Sequence, residues 1–354
     1  MIKRTLSLVL VSALALGTVV PASAIGGSSE DPLISLSYLR TTLQPQLSAF
    51  LHTAFHSDTG NGRLTDEAIL PDEGRYKEGD TLSASTGAEV IVLAGDVQFT
   101  SGGVIIDASH GVELPPTAAL QTNTRYITAE DTTAHYTVLS PTAVISCNGN
   151  VSLQESTLPD YNAMADALSR LSLLKGTGTG FGSGYDLEKT PTRIEAIVMF
   201  IRLLGEEQAA LSSTATHPFK DVAPWADRYV AYAYEKGYSN GAGKDVFASS
   251  RSITVKEYVE FVMRALRYSS TAHTDLSTTL EDAKNASVLT PKEFELLTSV
   301  PLLRAHLVYI SFYAVSTKIA DESRTLAEKL IAGGVFTSQD YQDALAMVKT
   351  QRLQ

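Results

Sequence analysis

The chain has little cysteine, little tryptophan and no excess of basic residues. Cys147 is the only cysteine and Trp225 the only tryptophan among 354 residues. One thiol excludes an internal disulfide framework, a cysteine-rich zinc module and an iron–sulfur site, and a free thiol is the expected state of Cys147. Lys and Arg number 28 against 39 Asp and Glu, a net charge of −11. With no basic block, nucleic acid and an anionic lipid surface are poor main partners. Beyond the first segment no apolar run is long enough to span a membrane, which takes roughly 20 residues. The hydrophobic fraction, 44%, is enough for real cores, and the length suits two or three domains.

The opening segment sets the expected compartment. Lys3 and Arg4 precede an apolar stretch from Leu6 to Val20, and Ala22-Ser23-Ala24 places small residues where a signal peptidase cuts. This predicts a secretory signal peptide over residues 1–24. Without Lys3 and Arg4 the 28 basic residues become 26 against 39 acidic, so the exported chain carries about −13. No cysteine follows for a lipid anchor, and Met347 to Gln354 holds no hydrophobic tail or sorting signal. If such an exported protein stays at a surface, it is expected to be held there without a covalent link.

The exported chain changes texture twice. Over residues 25–62 the apolar positions Leu33, Leu36, Leu39, Leu43, Leu47, Phe50 and Leu51 recur at helical steps. Over residues 63–155 short alternating runs take over, among them Glu89 to Leu93, Val97 to Thr100, Arg125 to Thr128, His135 to Val138 and Ala143 to Ser146. Gly87, Gly95-Asp96, Gly102-Gly103 and Asn148-Gly149 separate them, which reads as a small all-β sandwich or roll. Over residues 156–354 the helical period returns in three comparable units: Tyr161 to Leu204, Phe219 to Leu266, and a more degenerate Leu280 to Val315. A last helix near Ser323 to Gly333 and a tail from Ser338 follow. Units of this size cannot bury their own apolar faces alone, so they pack together.

A motif repeats at the second helix of each unit. Thr192-Arg193-Ile194-Glu195 and Thr254-Val255-Lys256-Glu257 are capping boxes, Thr at the cap and Glu three residues on. Those roles account for Thr and Glu but not for Arg193, a cation at the positive end of a helix dipole. Beside free N–H groups an arginine makes an anion pocket. Leu303-Arg304-Ala305-His306 puts another arginine at the corresponding point of unit three.

Phe219-Lys220-Asp221-Val222, Trp225-Ala226, Gly237-Tyr238, Gly241, Phe247 and Ile253-Thr254 resemble the S-layer homology (SLH) repeat. Unit one lacks that opening but keeps a glycine loop, Lys175-Gly176-Thr177-Gly178, and the ending Pro191 to Ala196. The resemblance implies an all-α pseudo-threefold bundle of three repeats. Its grooves would bind an anionic secondary cell-wall polysaccharide attached to peptidoglycan. Carried onto this chain, it makes Arg193 and Arg304 the ligand arginines, Asp221 and Trp225 a groove pair, and Gly178 and Gly241 loop glycines. Unit two departs from the pattern with Val255, and neighbouring Lys256 points about 100° further round the helix. At most two competent grooves are therefore expected.

The implied activity is non-covalent anchoring at the wall of a Gram-positive-type surface, with the β domain displayed. Self-assembly of a surface layer, or carbohydrate or partner binding by the β domain, is the alternative reading; a wall-bound hydrolase is the third. No triad order, paired carboxylates or nucleophile elbow points to an enzyme. No cofactor or metal is expected. The Gly176 to Gly184 run lacks a preceding strand and a Gly-Lys-Ser/Thr ending. His52 and His56 lack the glutamate a zincin needs, and Asp58 to Asp66 lacks calcium-loop ligands. Trp225 suits a buried core as well as sugar stacking. Tyr229, Tyr232, Tyr234, Tyr238 and Tyr258 suit half-buried helix packing better than a stacking surface.

Overall fold

The computed structural model describes residues 72–177, 184–270 and 275–354. The signal peptide and the helical stripe over 25–62 lie outside them, as do His52, His56 and Gly178.

Among the described residues eleven strands come first: β1 (Asp72–Lys77), β2 (Thr81–Ser85), β3 (Glu89–Ala94), β4 (Val97–Ser101), β5 (Ile105–Asp107), β6 (Val112–Leu114), β7 (Thr117–Ala119), β8 (Arg125–Thr128), β9 (Thr133–Val138), β10 (Thr142–Asn148) and β11 (Val151–Gln154). They form two antiparallel sheets, ordered β1-β10-β3-β8-β5-β6 and β11-β2-β9-β4-β7. Alternation is the cause. Val90, Val92, Tyr126 and Ile145 of one sheet face Leu82, Phe99, Tyr136 and Val138 of the other, all buried. The expected sandwich is what forms.

An all-α region follows: α1 (Tyr161–Arg170), α2 (Arg193–Leu203), α3 (Glu207–Ser212), α4 (Asp227–Glu235), α5 (Val255–Ala265), α6 (Thr279–Asn285), α7 (Pro291–Ser299), α8 (Arg304–Val315), α9 (Leu326–Ala332) and α10 (Ser338–Met347). A 3₁₀ turn, Pro224–Ala226, precedes α4. Capping boxes start α2 at Thr192 and α5 at Thr254, as expected, and recur at Thr290, Thr325 and Thr337. The residues from Ser338, expected to be a tail, form α10 because Thr337 and Asp340 close such a box. Ile197, Phe200, Ile201, Val259, Val262, Leu307 and Val308 belong to one shared core.

The sandwich is seated on the helices. Arg75 makes a two-pronged bond to Asp166 of α1, at 3.2 and 2.6 Å. Asn162 Nδ2 donates to Tyr76 O at 3.2 Å, and Thr142 donates to Glu188 at 2.7 Å.

Candidate functional site

Two of the helix starts are seated on the loops of other units. Arg193 N–H donates to Arg251 O (2.8 Å) and Ile194 N–H to Ser249 O (3.2 Å), so α2 rests on the loop of unit two. Arg304 N–H donates to Lys189 O (2.8 Å) and Ala305 N–H to Leu187 O (3.0 Å), so α8 rests on the loop of unit one in the same way. Backbone donors that a helix start leaves orphaned are thereby satisfied across units.

Asp221 holds the unit-two loop in place. Its carboxylate accepts from the N–H groups of Phe247 (2.7 Å), Ala248 (2.7 Å) and Ser249 (3.3 Å). Burial works to raise its pKa, but these three bonds outweigh it and hold the group below the usual carboxylate range. Asp221 therefore shapes the unit-two loop through its backbone. Its partners lie 26 to 28 residues along the chain, so it ties a distant loop and does not cap its own turn.

Arg193 is buried, 4% exposed. Its Nη1 meets Glu257 Oε1 at 2.7 Å, and its Nη2 donates to Ser239 Oγ at 3.0 Å and to Gly241 O at 3.4 Å. The guanidinium lies over the rings of Phe247 (5.2 Å) and Phe261 (5.6 Å). Its Nε is buried with no hydrogen-bond partner. Arg193 lines a pocket of about 140 Å³ together with Ser239, Gly241, Glu257, Glu260 and Arg264.

Gly241 is required by that geometry. Its φ is +81°, and a Cβ would stand 2.3 Å from the Phe219 ring. Only glycine lets the Gly241 carbonyl reach Arg193.

The local charge differs from the bulk charge. Glu257 also takes two bonds from Arg251 (2.5 and 3.1 Å), and Arg264 Nε binds Glu260 at 2.9 Å. Three guanidiniums thus surround two carboxylates. Burial raises the Glu257 pKa, but the bonds from Arg251 and Thr254 and the charge of Arg193 outweigh it and leave it low. Desolvation pulls Arg193 down against the attraction of Glu257. An arginine stays cationic regardless.

Arg304 is also buried, 5% exposed, with Nε donating to Tyr185 O at 2.9 Å. Desolvation pulls it down, opposed by the charges of Glu195 and Asp186. Glu195 occupies the capping position that corresponds to Glu257, but it acts on Arg304 through charge, without the ion pair that joins Glu257 to Arg193. The third combination of such positions is Val255 and His306, where arginine and glutamate are both missing. Losing both members of a buried pair costs far less than losing one.

The other expected residues lie apart from the Arg193 pocket. Lys256 is exposed, and its Nζ reaches Ser277 O at 3.4 Å. Trp225 is 60% exposed on the 3₁₀ turn, which removes the buried-core reading. Tyr229 donates to Glu207 (2.8 Å), and Tyr232 and Tyr238 donate to Glu206 (3.2 and 2.9 Å). These tyrosines stitch α3 to α4 and do not form a stacking surface. Sequence reasoning passed over Glu257, Ser239 and Arg264 as pocket residues. The capping role hid Glu257, and nothing in the local pattern marks the other two.

No curated protein matches this chain. Residues 218–254 match the family model of the S-layer homology domain. That stretch contains Asp221, Ser239, Gly241 and the loop on which Arg193 rests, and a domain of this family places the protein at the cell surface and wall.

Proposed function

We propose that the protein is exported and anchors itself non-covalently to a Gram-positive-type wall by binding an anionic secondary wall polysaccharide at the Arg193 pocket. The position of Arg193 supports this most directly: it lines the pocket, and Glu257, Ser239 and two aromatic rings hold its guanidinium there. A ligand carboxylate there meets a guanidinium already oriented by Glu257, Ser239 and two rings, so little ordering is lost on binding. Arg193 and Arg264 match Glu257 and Glu260 in the lining, and Arg251 bonded to Glu257 adds a further cation, so the site does not share the acidity of the exported chain, about −13. The Arg304 position is the second groove of this reading, and the Val255 combination is not competent. Weak single sites suit a polymer, since avidity sums over sites. The protein is a binding protein and not an enzyme, and three SLH repeats make up its helical region.

The test is co-sedimentation of the full chain with purified walls, before and after the secondary polymer is stripped. Binding that disappears with the polymer is expected. Equal binding to stripped walls defeats the reading.

A second role is favoured by the outer face of the five-stranded sheet. Thr81, Ser83, Gln98, Thr100, His135 and Thr137 present hydroxyl, amide and imidazole groups there with no carboxylate, lysine or arginine among them. Thr81–Thr137 (3.1 Å) and Ser83–His135 (2.8 Å) bonds hold them flat. In an acidic chain such a face is where copies meet with least repulsion. Ordered particles that form at high concentration, and fail to form when Thr100 and Thr137 are changed to Lys, are expected. Particles that persist in that variant count against it.

A further inference from the structure

Unit three lacks a group that unit two has, and a distant part of the chain supplies it. In unit two, Ala233 O accepts from Tyr238 N (2.8 Å) and Ser239 N (3.3 Å). In unit three, Ala283 O accepts from Val288 N (2.9 Å) and Leu289 N (3.1 Å). Tyr238 and Val288 therefore occupy corresponding places. Tyr238 O is bonded by Arg264 Nη1 at 3.1 Å. Counted from Val255 and Arg304 at the helix starts, Tyr313 stands in α8 where Arg264 stands in α5. A tyrosine there cannot donate as a guanidinium does.

Arg352, in the segment after α10, takes over. Its Nη2 donates to Val288 O at 2.8 Å, and its guanidinium lies 4.7 Å over the Tyr313 ring. It also grips Glu293 with two bonds, at 2.7 and 2.8 Å. The Glu293 side chain is 1% exposed, and Tyr309 donates to it at 2.9 Å. The flanking residues are held as well. Leu353 N–H donates to Tyr309 Oη (3.1 Å), Leu353 O accepts from Thr290 Oγ1 (2.7 Å), and Thr350 Oγ1 accepts from Asp160 N–H (3.1 Å).

This is how an extended peptide is read: a charged fork in a buried carboxylate site, with backbone bonds at Leu353 on one side and a side-chain bond at Thr350 on the other. We propose that unit three carries a recognition groove for an arginine-bearing extended peptide, and that residues 349–354 are its built-in occupant. Arg352 is the specificity residue, because an empty groove leaves Glu293 buried without a cation. The groove is separate from the Arg193 pocket, and its reading does not depend on wall binding.

The test uses the chain stopped after Val348 and a fluorescent synthetic peptide, Lys-Thr-Gln-Arg-Leu-Gln. Saturable binding is expected, with a raised melting midpoint. Affinity falls roughly tenfold or more when alanine replaces the peptide's arginine, as loss of a charged two-pronged bond dictates. Absent binding to a folded chain, or equal affinity for both peptides, overturns the proposal. If the shortened chain does not fold, the full chain decides. There Arg352→Ala must melt below Arg352→Lys and both below the parent, and three equal midpoints overturn it.

Discussion

Glu257 closes the Thr254 capping box and, with the same carboxylate, holds Arg193 of the preceding unit at 2.7 Å. One side chain thus fixes a helix start and orients the proposed ligand arginine. Local folding of α5 and the geometry of the pocket cannot vary independently.

Arg193→Ala removes one cation from this pair while Arg251 remains on Glu257. Stability falls by roughly 1–3 kcal/mol, less than for a carboxylate left wholly unpaired. Wall sedimentation drops with it, while far-ultraviolet circular dichroism keeps its helical form. A urea series on the full chain separates the two effects.

Asp221→Ala leaves three N–H groups of the Phe247 to Ser249 loop without their acceptor. A loss of roughly 1–3 kcal/mol is expected. Because the folded pKa lies below the ordinary value of 3.8, this contribution is complete above that value. It disappears as pH falls through the folded pKa. Comparing acid unfolding of parent and variant measures it, since the variant loses this part of the pH dependence.

Gly241→Ala drives a Cβ into the Phe219 ring at 2.3 Å and strains a backbone at φ +81°. A cost of about 1–3 kcal/mol follows. The Gly241 carbonyl also moves off Arg193, so wall binding weakens more than stability alone dictates. The urea midpoint and sedimentation read both effects.

His306 is buried, and its Nδ1 accepts the Leu303 N–H at 3.0 Å, which places the ring proton on Nε2. A second proton would point Nδ1–H at that donor. Desolvation holds its pKa down at about 4 instead of 6.5. The unfolded chain therefore binds the proton first. Stability is complete above about 6.5 and declines as pH falls toward 4, by roughly 2–4 kcal/mol. His306→Gln keeps an acceptor without titrating, so its thermal midpoint changes less over that range.

Trp225 is the only tryptophan and stands 60% exposed. Its fluorescence is therefore expected at the long-wavelength, solvent-exposed position and open to acrylamide quenching. Trp225→Ala changes stability by no more than about 0.5 kcal/mol. A midpoint shift well beyond that would place the ring in packing contact.

Much of the fold can be read locally. β3, β4, β8 and β10 coincide with alternating runs, and the Thr192 and Thr254 boxes start α2 and α5. β1 cannot be read that way: Asp-Glu-Gly-Arg-Tyr-Lys is polar, and it is a strand because β10 offers a paired edge. α3 is short and escaped for a similar reason, being held by Tyr229, Tyr232 and Tyr238 from α4 and beyond. The arginines of the site were legible from their misfit with the helix dipole. Their partners were not, because Ser239, Gly241 and Glu257 come from another unit.

Backbone sterics and periodicity act over a few residues, so the chain itself determined its β and α halves, its helix starts and the positions of Arg193 and Arg304. Tertiary structure alone decided that Glu257 serves Arg193, that Trp225 faces solvent and that Arg352 completes unit three. Each of these depends on which groups lose water together. Burial of that kind is a property of packed units, and no local stretch of sequence carries it.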